Sequence, residues 1–313
     1  MSATRLSGVD TAAVVRSTLR GRSRDIGGRA FEGLLLMGLL VALAVLAVLL
    51  IDITRQGAPL LLERGTDFLT SKTSSLPERA GIAQGIRGSV TIVAFVILIA
   101  FPIGIGAAIY LEEYARDTWF TRVINANIRN LAGIPSIVYG LLGIALFVKF
   151  APVAGFTGGR SVITAGLTIS LLVLPIVVIT SAEALRAVPG SIREAGFGVG
   201  ATRWEVIRSH VLPYAAPGIL TGTVLTVARA FGEAAPLVMI GAATGFLSTG
   251  SAGFVEQLKG PYTALPVQVF DFSTANLRAF GQHSAAASLV LLAILLIVNG
   301  AAISLRNRYE RKW

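Results

Sequence analysis

The sequence predicts an all-α, polytopic membrane protein with six transmembrane helices. Composition is the first observation: 54% of the 313 residues are hydrophobic and 14% are charged, whereas a soluble domain averages about 25% charged residues. The mean hydropathy of +0.73 is the second, and it places the chain in the membrane class. The third is a series of apolar runs about 20 residues long, the length at which an α-helix crosses a bilayer.

The first apolar run follows a polar, arginine-rich N-terminal tail at 1–32. It is longer than the about 7–15 apolar residues of a signal peptide, and no clear cleavage site follows, so we expect a membrane span. Two later runs contain an internal proline, Pro102 and Pro175, which indicates kinked helices. The membrane domain is expected to cover 33–313, with spans at 33–51, 89–111, 131–150, 161–180, 212–242 and 285–305.

The distribution of Lys and Arg predicts which loops face the cytoplasm. Six spans put both termini on the same side of the membrane, and the tails and loops of that side carry 17 Lys and Arg residues against 9 on the other. Cytoplasmic loops are enriched in basic residues. We therefore expect both termini and the loop 182–211 in the cytoplasm, with the long loops 52–88 and 243–284 facing outward.

Charge and residue content argue against several function classes. The net charge is +10, but in a membrane protein basic loops near anionic lipid explain it better than nucleic-acid binding. There is no cysteine, and the two histidines are far apart in sequence, so no metal site is expected. The segment at 71–73, Ser-Lys-Thr, lacks the glycines of a phosphate-binding loop. No catalytic constellation lies in the spans, so we expect neither ATP hydrolysis nor other enzymatic activity from this chain.

An unusually patterned polar segment, EAGFGVGATRWEVIRSHVLP, occupies 194–213 between the fourth and fifth spans. Ser191 and Glu194 have the spacing of a capping box, in which the two side chains satisfy free amides at a helix start. Thr202 and Glu205 repeat that spacing after a glycine pair. The pattern predicts a helix, a glycine elbow and a second helix. Its arginine and aromatic side chains suit a protein partner, although a helix pair lying on the membrane without a partner also fits.

The fifth span carries two charged residues, Arg229 and Glu233, within the run VARAFGEAAPLVMI. An arginine at the centre of a span costs about 2.5–3.5 kcal/mol on insertion scales, and such residues face the bundle interior with a partner. The i, i+4 spacing predicts an intrahelical ion pair. Because a guanidinium suits a tetrahedral oxyanion through paired hydrogen bonds, the pair is a candidate for a substrate pathway. A purely structural ion pair remains open.

The polar segment resembles the EAA motif of ABC importer permeases. In that family it forms a coupling helix that docks on the ATP-binding subunit, so the resemblance implies this role here, beginning near Ser191. Gly196 replaces the third small residue of the motif, and His210 replaces an isoleucine. The positions that match the motif are Glu194, Ala195, Gly200, Leu212 and Pro213.

Three further runs resemble the phosphate ABC importer permeases: TGTVLTVARAFGEAAPL, GIPSIVYGLLGIALFV and TALPVQVF, the last typical of the PstA-type subunit. The resemblance implies a type I ABC importer permease fold in a bacterial cytoplasmic membrane. It also implies that phosphate passes Arg229 and Glu233 by alternating access, and that no cofactor binds this chain. The implied partners are a PstC-type second permease, a PstB-type ATP-binding dimer, an external PstS-type phosphate-binding protein and membrane lipids.

Two alternative functions remain open at this point. A permease for another oxyanion, such as sulfate or molybdate, would carry the same coupling segment and a similar buried arginine. A passive anion channel or a membrane sensor without an ATPase would keep the spans and the charge pair, but would have no docked ATP-binding subunit.

Overall fold

The computed structural model describes residues 26–150, 159–242, 258–277 and 279–309. These ranges are helical, with turns and short extended segments between the helices, and contain no β-strand. Most of the tail expected at 1–32 and part of the outward loop expected at 243–284 lie outside them. The helices are α1 (Ile26–Thr70), α2 (Ala83–Ile109), α3 (Trp119–Ala132), α4 (Ser136–Gly143), α5 (Val162–Arg186), α6 (Gly190–Gly198), α7 (Arg203–Val206), α8 (Leu212–Gly232), α9 (Ala235–Met239), α10 (Leu265–Thr274) and α11 (Ala279–Tyr309).

Wider, π-helical turns extend three of these helices. They follow α2 (Tyr110–Tyr114), α4 (Ile144–Phe150) and α7 (Ile207–Val211). The last of them joins α7 to α8, so that Arg203–Gly232 is a single helix of 30 residues.

Five helices of the described ranges are long and apolar enough to cross a membrane alone. A sixth span exists if α3 and α4 are counted together, although they meet at a bend of 102°. The predicted all-α, polytopic architecture is therefore confirmed, and the six expected spans are reached when this bent pair is counted as one. The five are Gly27–Thr70, Ala83–Tyr114, Val162–Arg186, Arg203–Gly232 and Ala279–Arg308.

The third expected span, 131–150, is not a single straight helix. Helix α3 ends at Ala132, and Pro135 adopts an extended conformation (ψ 135°) before α4 begins. A proline disfavours the helical region for the residue before it, which explains the break. The Tyr139 hydroxyl donates to the Leu131 carbonyl (2.8 Å) across the bend. Helix α3, with two arginines and three asparagines beside its apolar residues, is amphipathic and of the type that lies along a membrane surface.

The fifth expected span, 212–242, differs at both ends. It begins nine residues earlier, at Arg203, because the second predicted helix of the polar segment runs into it. It ends at Gly232, and Glu233 is extended (φ −78°, ψ 113°). Pro236 follows and lacks the amide that would continue the ladder to the Gly232 carbonyl, so the chain starts a new short helix, α9, instead.

Helix α5 is the central element of the unit that spans 53–313, with two thirds of its most apolar stretch buried. Small residues on its neighbours allow close approach: a Cβ at Gly104 of α2 would lie 2.6 Å from Val177, and one at Gly218 of α8 would lie 2.8 Å from Ala184. Such contacts let helices pack closely in a membrane. The N-terminal unit, as far as it is described, is the first part of α1, and its apolar side chains are exposed.

An apolar cluster that includes Phe68, Phe272 and Phe280 holds α1, α10 and α11 together in the larger unit. These three rings surround His283 at centroid distances of 5.4–5.8 Å. Next to Phe272, Asp271 lies partly buried on α10, and burial raises the pKa of its carboxyl to about 6.

We predict that Asp271→Asn increases thermal stability only at higher pH. The unfolded pKa of an aspartate is about 3.9, so the folded state binds this proton more tightly than the unfolded state. The stabilisation that the protonated Asp271 carboxyl contributes is therefore fully present below about pH 4 and is lost as the pH rises through about 6. The variant should unfold at a higher temperature than the parent at pH 8, and the difference should vanish near pH 4.

Thermal unfolding of the purified chain in detergent, followed from pH 4 to 8, measures this difference. Asp67→Asn, at an exposed position of α1, is the matched control and should show no such pH-dependent gain. An equal gain for Asp271→Asn at all pH values would contradict the prediction.

Candidate functional site

The polar segment folds as the predicted helix, elbow and helix. Its second helix starts with a complete capping box: the Glu205 amide donates to the Thr202 hydroxyl oxygen, and the Thr202 amide donates to the Glu205 carboxylate (2.7 Å). The capping box predicted from Thr202 and Glu205 is therefore confirmed.

The capping box predicted from Ser191 and Glu194 is wrong. Helix α6 starts at Gly190, two residues earlier than that capping box requires, and its N-cap is Pro189, which makes no side-chain capping bond. Ser191 is already inside the helix, so its hydroxyl cannot adopt N-cap geometry. Both Ser191 and Glu194 are instead exposed.

Two glycines shape the elbow between α6 and α7. Gly200 has φ +82°, a left-handed conformation that glycine adopts without steric cost, and its amide closes the end of α6 on the Phe197 carbonyl (2.9 Å). Gly196 is buried, and a Cβ there would lie 2.7 Å from the Val206 side chain. The departure of Gly196 from the EAA pattern thus matches the close packing of α6 on α7.

The outer face of this segment is an exposed patch that joins a charge to apolar side chains. Glu194 and Ala195 are exposed, as are Phe197 (47%), Val199 (84%) and Trp204 (51%). Exposed large apolar side chains around an ordered helix mark an interaction surface. We call these five residues the α6 patch.

Arg193 connects α6 to the ends of α2 and α5. Its guanidinium pairs with the Glu113 carboxylate at 2.6 Å and also donates to the carbonyls of Leu185 (2.9 Å) and Val188 (2.8 Å). These carbonyls belong to the end of α5 and the turn after it, where a helix leaves acceptors unsatisfied. The Arg193 side chain is therefore mostly buried (23% exposed) and is used within the chain.

Glu113 and its neighbour Glu112 were missed by the sequence reasoning. Glu112 forms a two-bond ion pair with Arg186 of α5 (2.7 and 3.0 Å), more exposed than the Arg193 pair. A signal existed: two adjacent glutamates at the C-terminal end of a helix oppose its dipole, which indicates basic partners from elsewhere in the chain. The pairs tie the end of α2 to α5 and α6.

Leu212 and Pro213 lie in the interior of the continuous helix Arg203–Gly232, Leu212 partly buried and Pro213 exposed. Pro213 cannot donate to the carbonyl four residues before it, and the π-helical turn Ile207–Val211 sits at this position. The Leu212 side chain packs against an apolar cluster that contains residues of α2 and α5. These two residues thus connect the polar segment to the span and do not contribute to the α6 patch.

The ion pair predicted between Arg229 and Glu233 is present, with Nε of the arginine 3.2 Å from the carboxylate. It is not intrahelical, because Glu233 lies just beyond the end of α8. Glu233 is mostly buried (15% exposed), whereas Arg229 is 46% exposed. The pair uses Nε alone, and within the described ranges both terminal nitrogens of the guanidinium lack a hydrogen-bond acceptor.

Helix α4 packs against α9, and its Tyr139 belongs to the same apolar cluster as the last residues of α8. Gly140 lies directly against α9, where a Cβ would be 2.8 Å from Met239 and 2.9 Å from Pro236. An exposed, permanently charged group at the end of an apolar span is therefore fixed on one side by Glu233 and bordered on the other by α4.

The two parts of the candidate site share one helix. The elbow leads into Arg203, and Arg229 lies in the last turn of the same helix, which at 1.5 Å per residue is about 40 Å away along the axis. No group of three His, Asp or Glu suited to a metal ion occurs in the described part of the chain.

Comparison with known proteins gives consistent matches. Residues 100–312 match the model of the family described as binding-protein-dependent transport system inner membrane component. The probable ABC transporter permease protein YqgH of Bacillus subtilis is 38% identical over 179 residues, 56% of this chain and 57% of that protein. The phosphate transport system permease protein PstA of Xylella fastidiosa is 33% identical over 245 residues, 77% of this chain and 81% of that protein.

Among solved structures, a bacterial alginate ABC transporter, in complex with its alginate-bound periplasmic protein, contains a chain with the same fold. The TM-score is 0.63 at 14% identity, and the match covers 96% of this chain and 98% of that chain. At this identity the likeness concerns the fold alone.

We predict that Glu113→Gln destabilises the chain more than Glu112→Gln. Removing the Glu113 charge leaves Arg193 mostly buried without its counter-ion, which should cost about 2 kcal/mol, below the range for a fully buried pair because Arg193 retains some solvent contact. The Glu112 partner, Arg186, is 51% exposed, so that loss should cost less than about 1 kcal/mol.

Thermal unfolding in detergent compares the two variants under identical conditions. A double variant, Glu113→Gln with Arg193→Gln, should recover part of the loss because it removes both charges. Equal destabilisation by Glu112→Gln and Glu113→Gln would contradict the anchoring role of Arg193.

Proposed function

The chain belongs to the binding-protein-dependent transport system inner membrane component family, and from this premise we propose that it is the permease subunit of an ATP-driven importer of inorganic phosphate. As an ABC importer permease it is a multi-pass membrane transport subunit and not an enzyme. Its expected fold, that of type I ABC importer permeases, is confirmed by the likeness to solved transporters.

The observation that carries the phosphate proposal is the Arg229–Glu233 pair. The guanidinium presents two terminal nitrogens that have no acceptor among the described residues, at the end of an apolar helix, an arrangement suited to two oxygens of one tetrahedral anion. Glu233 holds the arginine in place and offsets its charge, so that an anion passing Arg229 is attracted without being trapped.

Glu233 also favours phosphate over sulfate or molybdate. Phosphate retains a proton at neutral pH and can donate a hydrogen bond to a carboxylate, whereas sulfate and molybdate are fully ionised and would meet only repulsion. A relative that is 33% identical is named as a phosphate transport permease, which supports the same choice.

The α6 patch is the proposed dock for the ATP-binding subunit. Closure of a PstB-type dimer around ATP would push on α6, and the ion pairs beneath α6 would pass the movement to α2 and α5. The helix Arg203–Gly232 would carry it to Arg229, in keeping with alternating access. ATP would bind to that partner, and this chain would hold no cofactor.

In the proposed assembly both termini and α6 face the cytoplasm of a bacterium. A PstC-type permease would complete the pathway opposite Arg229, and a PstS-type protein would deliver phosphate to the outward loops. The ATP-binding and substrate-binding partners follow from the family; their Pst type is part of the proposal.

We predict that Arg229→Gln abolishes phosphate uptake and leaves assembly intact. The substitution removes the cation that meets the anion while the coupling segment stays unchanged. Loss of one charge-assisted bidentate contact should reduce uptake by at least about 100-fold. Arg87→Gln, at an exposed position near the outward end of α2, is the matched control and should transport normally.

Radioactive phosphate uptake into vesicles containing the complete transporter measures this effect, and co-purification of the ATP-binding subunit measures assembly. Sulfate and molybdate are then tested as competitors against the parent protein. Uptake at the parental rate by Arg229→Gln would refute the pathway role, and stronger inhibition by sulfate than by unlabelled phosphate would refute the choice of substrate.

We predict that Gly200→Ala impairs coupling and that Gly198→Ala does not. Gly200 has φ +82°, so a side chain there costs about 1 kcal/mol or more and distorts the elbow. Gly198 has no such conformation, and a Cβ there meets nothing within 4 Å. The measurement is phosphate transported per ATP hydrolysed.

Glu194→Gln should weaken binding of the ATP-binding subunit by removing the one charge of the α6 patch. Normal pull-down together with normal transport in Glu194→Gln and Gly200→Ala would contradict the docking role. If no ATP-binding subunit co-purified with the unaltered chain, a passive channel or sensor would replace the importer.

A further inference from the structure

A basic cleft lies beside the ion pairs that support α6, away from Arg229. It has a volume of about 290 Å³, near the lower end of the range of about 300–1,000 Å³ typical of small-molecule sites. Its walls are the end of α2, the turn that follows, α3 and the last turn of α5. The cleft contains no residue of the α6 patch and neither Arg229 nor Glu233.

The charges around the cleft leave two arginines uncompensated. Its two carboxylates, Glu112 and Asp117, are each engaged by two hydrogen bonds from Arg186 and Arg122, respectively. The Arg122 guanidinium holds the pKa of Asp117 below its usual value. The remaining cations that line the cleft, Arg116 and Arg129, are exposed and have no ion-pair partner in the described part of the chain.

Neutral polar groups complete a surface suited to an anion. Thr121, Asn125 and Arg129 line the cleft at intervals of four residues, so they form one stripe along α3. The Thr121 hydroxyl donates to the Arg116 carbonyl (2.9 Å) and fixes the turn before α3. The amide of Asn125, partly buried, has no partner among the described residues and is free to donate.

The position of the cleft indicates where its ligand would come from. Trp119 and Phe120, at the start of α3, are 75% and 65% exposed. Tryptophan and other aromatic side chains on an amphipathic helix sit at the level of lipid headgroups. A basic pocket between helices at that level is the type that binds anionic headgroups.

We propose that this cleft binds a phosphate group through Arg116, Arg129 and Asn125, and that its source is the headgroup of an anionic phospholipid. Free inorganic phosphate has the same recognition chemistry and is the other possible source. Because the cleft shares Glu112 and Arg186 with the supports of α6, a bound headgroup would brace the end of α5 beneath the α6 patch.

Lipid binding to the full-length chain in detergent tests the proposal, with phosphatidylglycerol and phosphatidylcholine compared by native mass spectrometry. The double variant Arg116→Gln/Arg129→Gln should bind phosphatidylglycerol at least about tenfold more weakly, since it loses two charge-assisted contacts. Asn125→Ala should weaken binding to a smaller extent. Arg308→Gln removes one exposed charge from the end of α11, outside the cleft, and should bind as the parent does.

A second arm titrates inorganic phosphate, with sulfate as control, and follows thermal unfolding. Stabilisation by phosphate that the double variant loses, without any preference for phosphatidylglycerol, supports the phosphate site but overturns lipid as the source. Parental binding of phosphatidylglycerol by the double variant, or an equal loss in Arg308→Gln, overturns the site. Size-exclusion chromatography and Asn125→Ala separate loss of binding from loss of folding. Neither arm depends on transport, so failure of the proposed function would leave the result interpretable.

Discussion

The ion pair between Arg193 and Glu113 is the contact on which the arrangement of α6 against the ends of α2 and α5 depends. One guanidinium satisfies a carboxylate from α2 and two carbonyls at and after the end of α5. It therefore fixes α6 against two spans with a single side chain. With α6 fixed in this way, Glu194, Ala195 and Phe197 remain exposed. Without the anchor, α6 would keep only its packing on α7 and the turns at its ends, and short helices are marginal by themselves.

The features that the sequence predicts well are local. Composition and apolar run length indicate the spans, and the Thr202–Glu205 capping box forms because its groups are three residues apart. Errors occur where a neighbouring proline or glycine competes with a pattern. Pro189 is the N-cap of α6, so this helix begins at Gly190 and Ser191 lies inside it. Helix α8 ends at Gly232 because Pro236 cannot continue its hydrogen bonds, so Glu233 lies outside it.

The supports of α6 were not predictable from spacing alone. Glu113 and Arg193 are 80 residues apart, and a pattern search along the chain has no means of pairing them. The same holds for the cleft, whose arginines and Asn125 come together only after α2, α3 and α5 have packed. The exposure of Arg229 likewise depends on which face of α8 packs on α5. By contrast, the identity of Arg229 and Glu233 as partners was evident from their four-residue separation.

The π-helical turn Ile207–Val211 has a consequence for the angular phase of the helix that contains it. Such a turn holds about one residue more than an α-helical turn, and each residue of an α-helix corresponds to a rotation of about 100°. Each residue after the turn therefore lies about a quarter of a revolution away from the position it would have if the same sequence formed a regular α-helix from Arg203 onward. The azimuth at which Arg229 leaves α8 is set by this extra residue, far from the arginine itself. Converting 207–211 to regular α-helix without any deletion would keep every side chain of α8 and direct Arg229 elsewhere, whereas deleting one residue there would leave the direction of Arg229 unchanged.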